Sequence, residues 1–101
     1  MGIDVYWKSE SGEILGTVPD WEILSELSNL LYRQSNSVCL RFIDPSGDAC
    51  FNQQQLPFLL SEFRQLEAGI FAVRAKGHVQ KVIQLLEGAA QVHTYIWFIG
   101  D

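Results

Sequence analysis

The segment QVHTYIWFIGD, residues 91–101, constrains the fold of this chain more than any other stretch. Val92, Thr94, Ile96 and Phe98 alternate with His93, Tyr95 and Trp97, the period of an extended strand. A strand with one face in water is lopsided, apolar on one side and polar on the other. This one carries large side chains on both, and it reads as a central strand packed on both faces, with neighbours at each edge.

The rest of the chain supplies those neighbours. Ile3, Val5 and Trp7 alternate with Asp4, Tyr6 and Lys8, SESGE turns at Gly12, and Ile14–Val18 returns as the second arm of a hairpin. Asp20 is placed to cap an amphipathic helix running to about Gln34, with Glu22 in its first turn and Ile23, Leu24, Leu27, Leu30 and Leu31 on one stripe. Val38–Ile43 reads as a strand, DPSGD (44–48) as a turn and Ala49–Phe51 as the returning strand. Asn52 can cap the next helix, whose apolar positions are Leu56, Leu59, Leu60, Phe63 and Leu66. Pro57 suits its first turn, so regular helix begins near Leu56. Residues 68–77 show no clear period and stay open between loop, helix start and short strand. Val79, Val82, Ile83 and Leu86 then form a helical stripe from His78 to the stop at Gly88. The expected fold is a single α+β domain over residues 1–101. It is an antiparallel or mixed sheet of about five strands with helices packed on one face, in the order ββαββααβ.

Several function classes have little support. Twelve acids against seven bases give a formal charge of −5, which repels a phosphate backbone and suits a basic protein partner. No apolar run is long enough to span a bilayer and no signal-peptide pattern opens the chain, so the cytoplasm is the expected compartment and no membrane partner is expected. Cys39 and Cys50 lack metal-ligand or redox spacing, and the glycines make no phosphate-cradling motif, so neither a metal nor a cofactor is expected. Asp44, Ser46 and Asp48 offer oxygen ligands, but a hairpin turn accounts for them. His78 and His93 have no nucleophile or orienting carboxylate at a recognisable spacing. The chain is not expected to be an enzyme.

The informative surface is the sheet face turned away from the helices. Period two places Ile3, Val5, Trp7, Val38, Leu40, Phe42, Val92, Ile96 and Phe98 toward the helices. Asp4, Tyr6, Lys8, Cys39, Arg41, Ile43, His93, Tyr95 and Trp97 then fall on the other side. Aromatic side chains and arginine mixed with a few charges suit an interface. Cover from elsewhere in the chain, a second copy and a foreign protein are all open. The expected partner-binding residues are Tyr6, Arg41, His93, Tyr95 and Trp97, with Glu22 and Glu26 as an alternative acidic site on the first helix.

CLRFIDPSGDACFN (39–52) together with VHTYIWFIGD (92–101) resembles a group of small stand-alone bacterial proteins, and the resemblance covers the whole chain. Small acidic α+β proteins of this sort are similar to the immunity proteins of polymorphic interbacterial toxins. That resemblance implies a role: binding a cognate toxin domain, for instance a nuclease or an ADP-ribosyltransferase with a basic surface, and occluding its active site. A homodimer with a structural or regulatory role is the alternative.

Overall fold

The computed structural model describes residues 2–20, 23–27 and 37–100. Strand β1 (Ile3–Ser9) turns back through Gly12, at φ 91°, into β2 (Ile14–Val18). Helix α1 (Ile23–Glu26) follows, then a 3-10 turn (Leu40–Phe42), strand β3 (Asp48–Phe51), helix α2 (Leu56–Ala68), helix α3 (Val73–Gly88) and strand β4 (Thr94–Gly100). The strands form one antiparallel sheet in the order β2-β1-β4-β3, so the aromatic last strand is central, as its sequence requires.

Period two sorts this sheet cleanly. Val5 pairs with Phe98 and Val18, and Phe51 with Ile96, and all five are buried on one face. Leu59 and Phe63 of α2, Val79, Val82 and Leu86 of α3, and Leu24 of α1 complete that core. Phe98 is its centre: its ring stacks on Phe63 at 5.7 Å and meets Phe51 edge-on at 5.8 Å.

Local signals in the sequence explain the helix starts. Asp20 Oδ1 accepts the amides of Ile23 and Leu24 at 2.7 and 2.8 Å, satisfying donors that a first turn leaves orphaned. Asn52 and Gln55 cap each other reciprocally: Asn52 Oδ1 accepts the Gln55 amide and Gln55 Oε1 accepts the Asn52 amide. Pro57 then sits in the first turn of α2, where its missing N–H costs nothing. The open segment 68–77 resolves into the α2 terminus at Gly69, a buried Ile70 and the start of α3 at Val73, five residues before His78. Beyond Leu27, the expected helix to Gln34 lies outside the described residues.

Two expectations are corrected. Among the described residues the sheet has four strands and not five, and the order ββαββααβ fails, because Val38–Ile43 is no strand. Its buried residues are Cys39, Leu40 and Ile43, the spacing of a helical turn, while Val38 and Phe42 are exposed. The cause lies on α2. Glu62 accepts the amides of Val38, Cys39 and Leu40 at 2.7, 3.0 and 3.1 Å, and Ser37 Oγ accepts that of Arg41, so a carboxylate takes the donors that a ladder would have used. Among the described residues β3 consequently pairs with β4 alone. Glu62→Ala should lower unfolding stability by about 2 kcal/mol, since three charge-assisted hydrogen bonds are replaced by partly hydrated amides. Glu62→Gln should cost roughly half as much, because one oxygen remains to serve Cys39 and Leu40. Urea unfolding of the two variants tests both values.

Candidate functional site

The face of the sheet opposite the helices carries Tyr6 and Lys8 from β1, Tyr95, Trp97 and Ile99 from β4, and Asp48 and Cys50 from β3. Register brings them together: Tyr6 and Cys50 both pair with Trp97, Lys8 with Tyr95, and Asp48 with Ile99. Tyr6, Tyr95 and Trp97 are each half-buried. The Lys8 ammonium lies over two of these rings, 5.2 Å from the Tyr6 centroid and 5.7 Å from that of Trp97. A groove of about 490 Å³ runs along β4, floored by Tyr95, Trp97 and Ile99, with the β1–β2 turn on one side and Asp48 and Cys50 on the other.

The expected binding residues divide. Tyr6, Tyr95 and Trp97 share this face. His93 stands just before β4 in a turn at φ 60° rather than in the strand, exposed, with Nδ1 3.7 Å from a Glu10 oxygen. A backbone in that left-handed region is tolerated by His better than by branched residues. Arg41 is corrected: it lies on the 3-10 turn, off the sheet, with its guanidinium 5.0 Å from the Phe42 ring. Cys39 and Ile43, expected on the same face, are buried in the core instead. Glu22 and the Glu26 side chain lie outside the described residues, so the alternative acidic site does too. The alternation of β1 also puts Lys8 on this face, whereas Glu10, Asp48 and Cys50 are not placed there by the sequence. Once β3 is known to flank β4, the register alone places Asp48 and Cys50 there.

The chain matches no protein-family model, no curated protein and no solved structure. The site therefore stands on its own chemistry. Among the described residues no group of three or more His, Cys, Asp or Glu side chains is placed to hold a metal ion, and no helix is long and apolar enough to cross a membrane. In the DPSGD turn, Asp44 Oδ1 accepts the Ser46 amide at 2.8 Å, an Asx-type turn that uses the carboxylate structurally. The two thiols differ. Cys39 is buried, and burial with Glu62 nearby pushes its pKa up to about 11, whereas Cys50 is exposed in the groove and raised by partial burial.

His78 belongs to the core and not to the surface. Its ring is buried, and Nε2 lies 3.7 Å from Asp20 Oδ1 with no hydrogen-bond partner among the described residues. Burial lowers its pKa, Lys81 adds to that, and Asp20 opposes it. Burial outweighs the attraction of the Asp20 carboxylate, which also accepts the amides of Ile3, Ile23 and Leu24. The folded state thus favours neutral His78, and the resulting stability is present above the unfolded value of 6.5 and lost as pH falls below it. Denaturation midpoints should drop between pH 7.5 and 5.5, and His78→Leu should flatten that drop. A midpoint rising over the same interval would reverse the assignment.

Proposed function

We propose that this chain is a non-enzymatic protein that acts by binding another protein through the helix-free face of its sheet. In its concrete form it is an immunity protein that neutralises an interbacterial toxin domain by occluding the toxin's active site. The observation that carries this reading is the row of half-buried rings, Tyr6, Tyr95 and Trp97, of which Tyr95 and Trp97 floor the open groove on this face. Tyr and Trp dominate binding energy at interface centres because they bury large areas at little entropic cost and keep a polar handle. A charge of −5 speeds encounter with a basic surface, while the rings govern dissociation. The neutralising role comes from the resemblance of segments 39–52 and 92–101 to bacterial immunity proteins.

The test captures partners with the tagged protein and with Tyr95→Ala/Trp97→Ala, from cells that produce the chain, and weighs the complexes by native mass spectrometry. Both rings are half-buried, so the variant's unfolding curve is recorded beside it. The expected product is a one-to-one complex with a single larger protein, weakened roughly 100-fold or more in the variant, since each central aromatic contributes about 2 kcal/mol. That larger protein should arrest growth when expressed without this chain. Recovery of a wild-type homodimer that dissociates in the variant would select a self-paired face instead. Capture indifferent to the variant would remove the face from the reading.

A further inference from the structure

The groove over β4 has a charge pattern that specifies its occupant beyond simple apolar fit. Among the described residues Lys8 is the only ammonium lining it, and that group rests on the Tyr6 and Trp97 rings. Two acids line the same groove. Asp48 has no cationic partner among the described residues, and Glu10 faces only an exposed imidazole, His93, at 3.7 Å. The lining thus carries more negative than positive charge, in a chain whose own sum is −5. Tyr95 lies on the groove floor opposite Lys8, with no cation stacked on its ring among the described residues, while Asp48 stands four residues further along β4, opposite Ile99.

We infer that the groove receives an arginine side chain carried on a basic, extended segment of the protein partner, an inference that rests on the proposed use of this face. A guanidinium is planar and weakly hydrated, so it can lie against Tyr95 while donating to Glu10, with Asp48 further along β4 adding attraction at longer range; a lysine ammonium matches that geometry less well. Lys8 opposes the incoming charge, which gives the inference a sign that can be measured.

Cys50 is the built-in reporter, because it is exposed in the groove while Cys39 is buried with its thiol pushed up to about 11. Maleimide alkylation of Cys50 in the intact chain is timed with two capped pentapeptides, Gly-Arg-Gly-Arg-Gly and Gly-Glu-Gly-Glu-Gly. Each rate is normalised to the same variant without peptide. At about 5 mM, a range suited to dissociation constants of about 1 mM, the arginine peptide should slow alkylation about twofold or more and the glutamate peptide should not. Asp48→Asn and Glu10→Gln should each weaken the protection, Lys8→Gln should strengthen it, and added salt should reduce it. Equal protection by both peptides, protection by neither, or protection abolished by Lys8→Gln would overturn the arginine. The underlying reading fails separately: a captured partner that is lost with the ring variant but indifferent to all three charge variants keeps the proposed function and discards this inference.

Discussion

Phe98→Ala should lower unfolding stability by about 3–5 kcal/mol, a large part of the roughly 5–15 kcal/mol available to a domain of this size. Phe98 is fully buried at the point where β4 meets α2, stacked on Phe63 and edge-on to Phe51, with Val5 and Ala49 opposite it on the flanking strands. Truncation removes its transfer energy and both ring contacts. It also leaves a cavity bounded by a helix and strands that cannot all move inward together. Phe98→Leu, which refills most of the volume, should cost about 1.5 kcal/mol. Urea denaturation with an unchanged slope would assign the losses to the folded core, and a Phe98→Ala midpoint close to wild type would refute the central position of this ring.

Gly100→Ala should be nearly as damaging for an unrelated reason. A Cβ at Gly100 would lie 2.6 Å from both the Gly47 oxygen and the Pro45 carbonyl carbon, and closer still to the Asp44 oxygen. All three are backbone atoms of the turn that leads into β3, and the Gly100 amide is itself tied to the Gly47 oxygen at 2.8 Å. No flexible side chain is present to yield, so the turn must shift or the end of β4 must peel away, a cost of about 3 kcal/mol. Gly77→Ala is the matched control. That glycine is inside α3, a Cβ there meets nothing within 4 Å, and the substitution should stabilise by about 0.5–1 kcal/mol. A thermal melt showing the opposite ranking would contradict the close approach at Gly100.

Where the sequence was legible, one local pattern and one burial requirement agreed. β1, β2, β4 and α2 were readable because alternation or helical spacing coincided with turn residues and caps at their ends, as at Gly12, Asp20 and Asn52. Residues 38–43 were not, because Val38, Leu40 and Phe42 fit a strand while Cys39, Leu40 and Ile43 fit a helical turn equally well. The deciding partner, Glu62, is remote in sequence and leaves no trace in the segment itself. The start of α3 was hidden by apolar residues that stay outside: Phe71 is 92% exposed and Val73 88%, so the run carried no usable period. The candidate face was half legible. Tyr6, Tyr95 and Trp97 followed from alternation alone, while Arg41 left the face with the lost strand. Asp48 and Cys50 joined it through a pairing of β3 with β4 that only the sheet order reveals.

The position of β4 also sets when the molecule can become itself. Ile3 pairs with Gly100 and Ser9 with Thr94, so the middle of the sheet is closed by segments lying almost the whole chain apart. Until residues 94–100 leave the ribosome, the β1–β2 hairpin and β3 have no common partner, and the half-core that Phe98 completes stays wet. Such long-range pairing places folding toward the slow range for small domains, about milliseconds to seconds, and it cannot finish before residues 94–100 are available. Before those residues are in place the inner edges of β1 and β3 are unpaired and exposed to association with other chains.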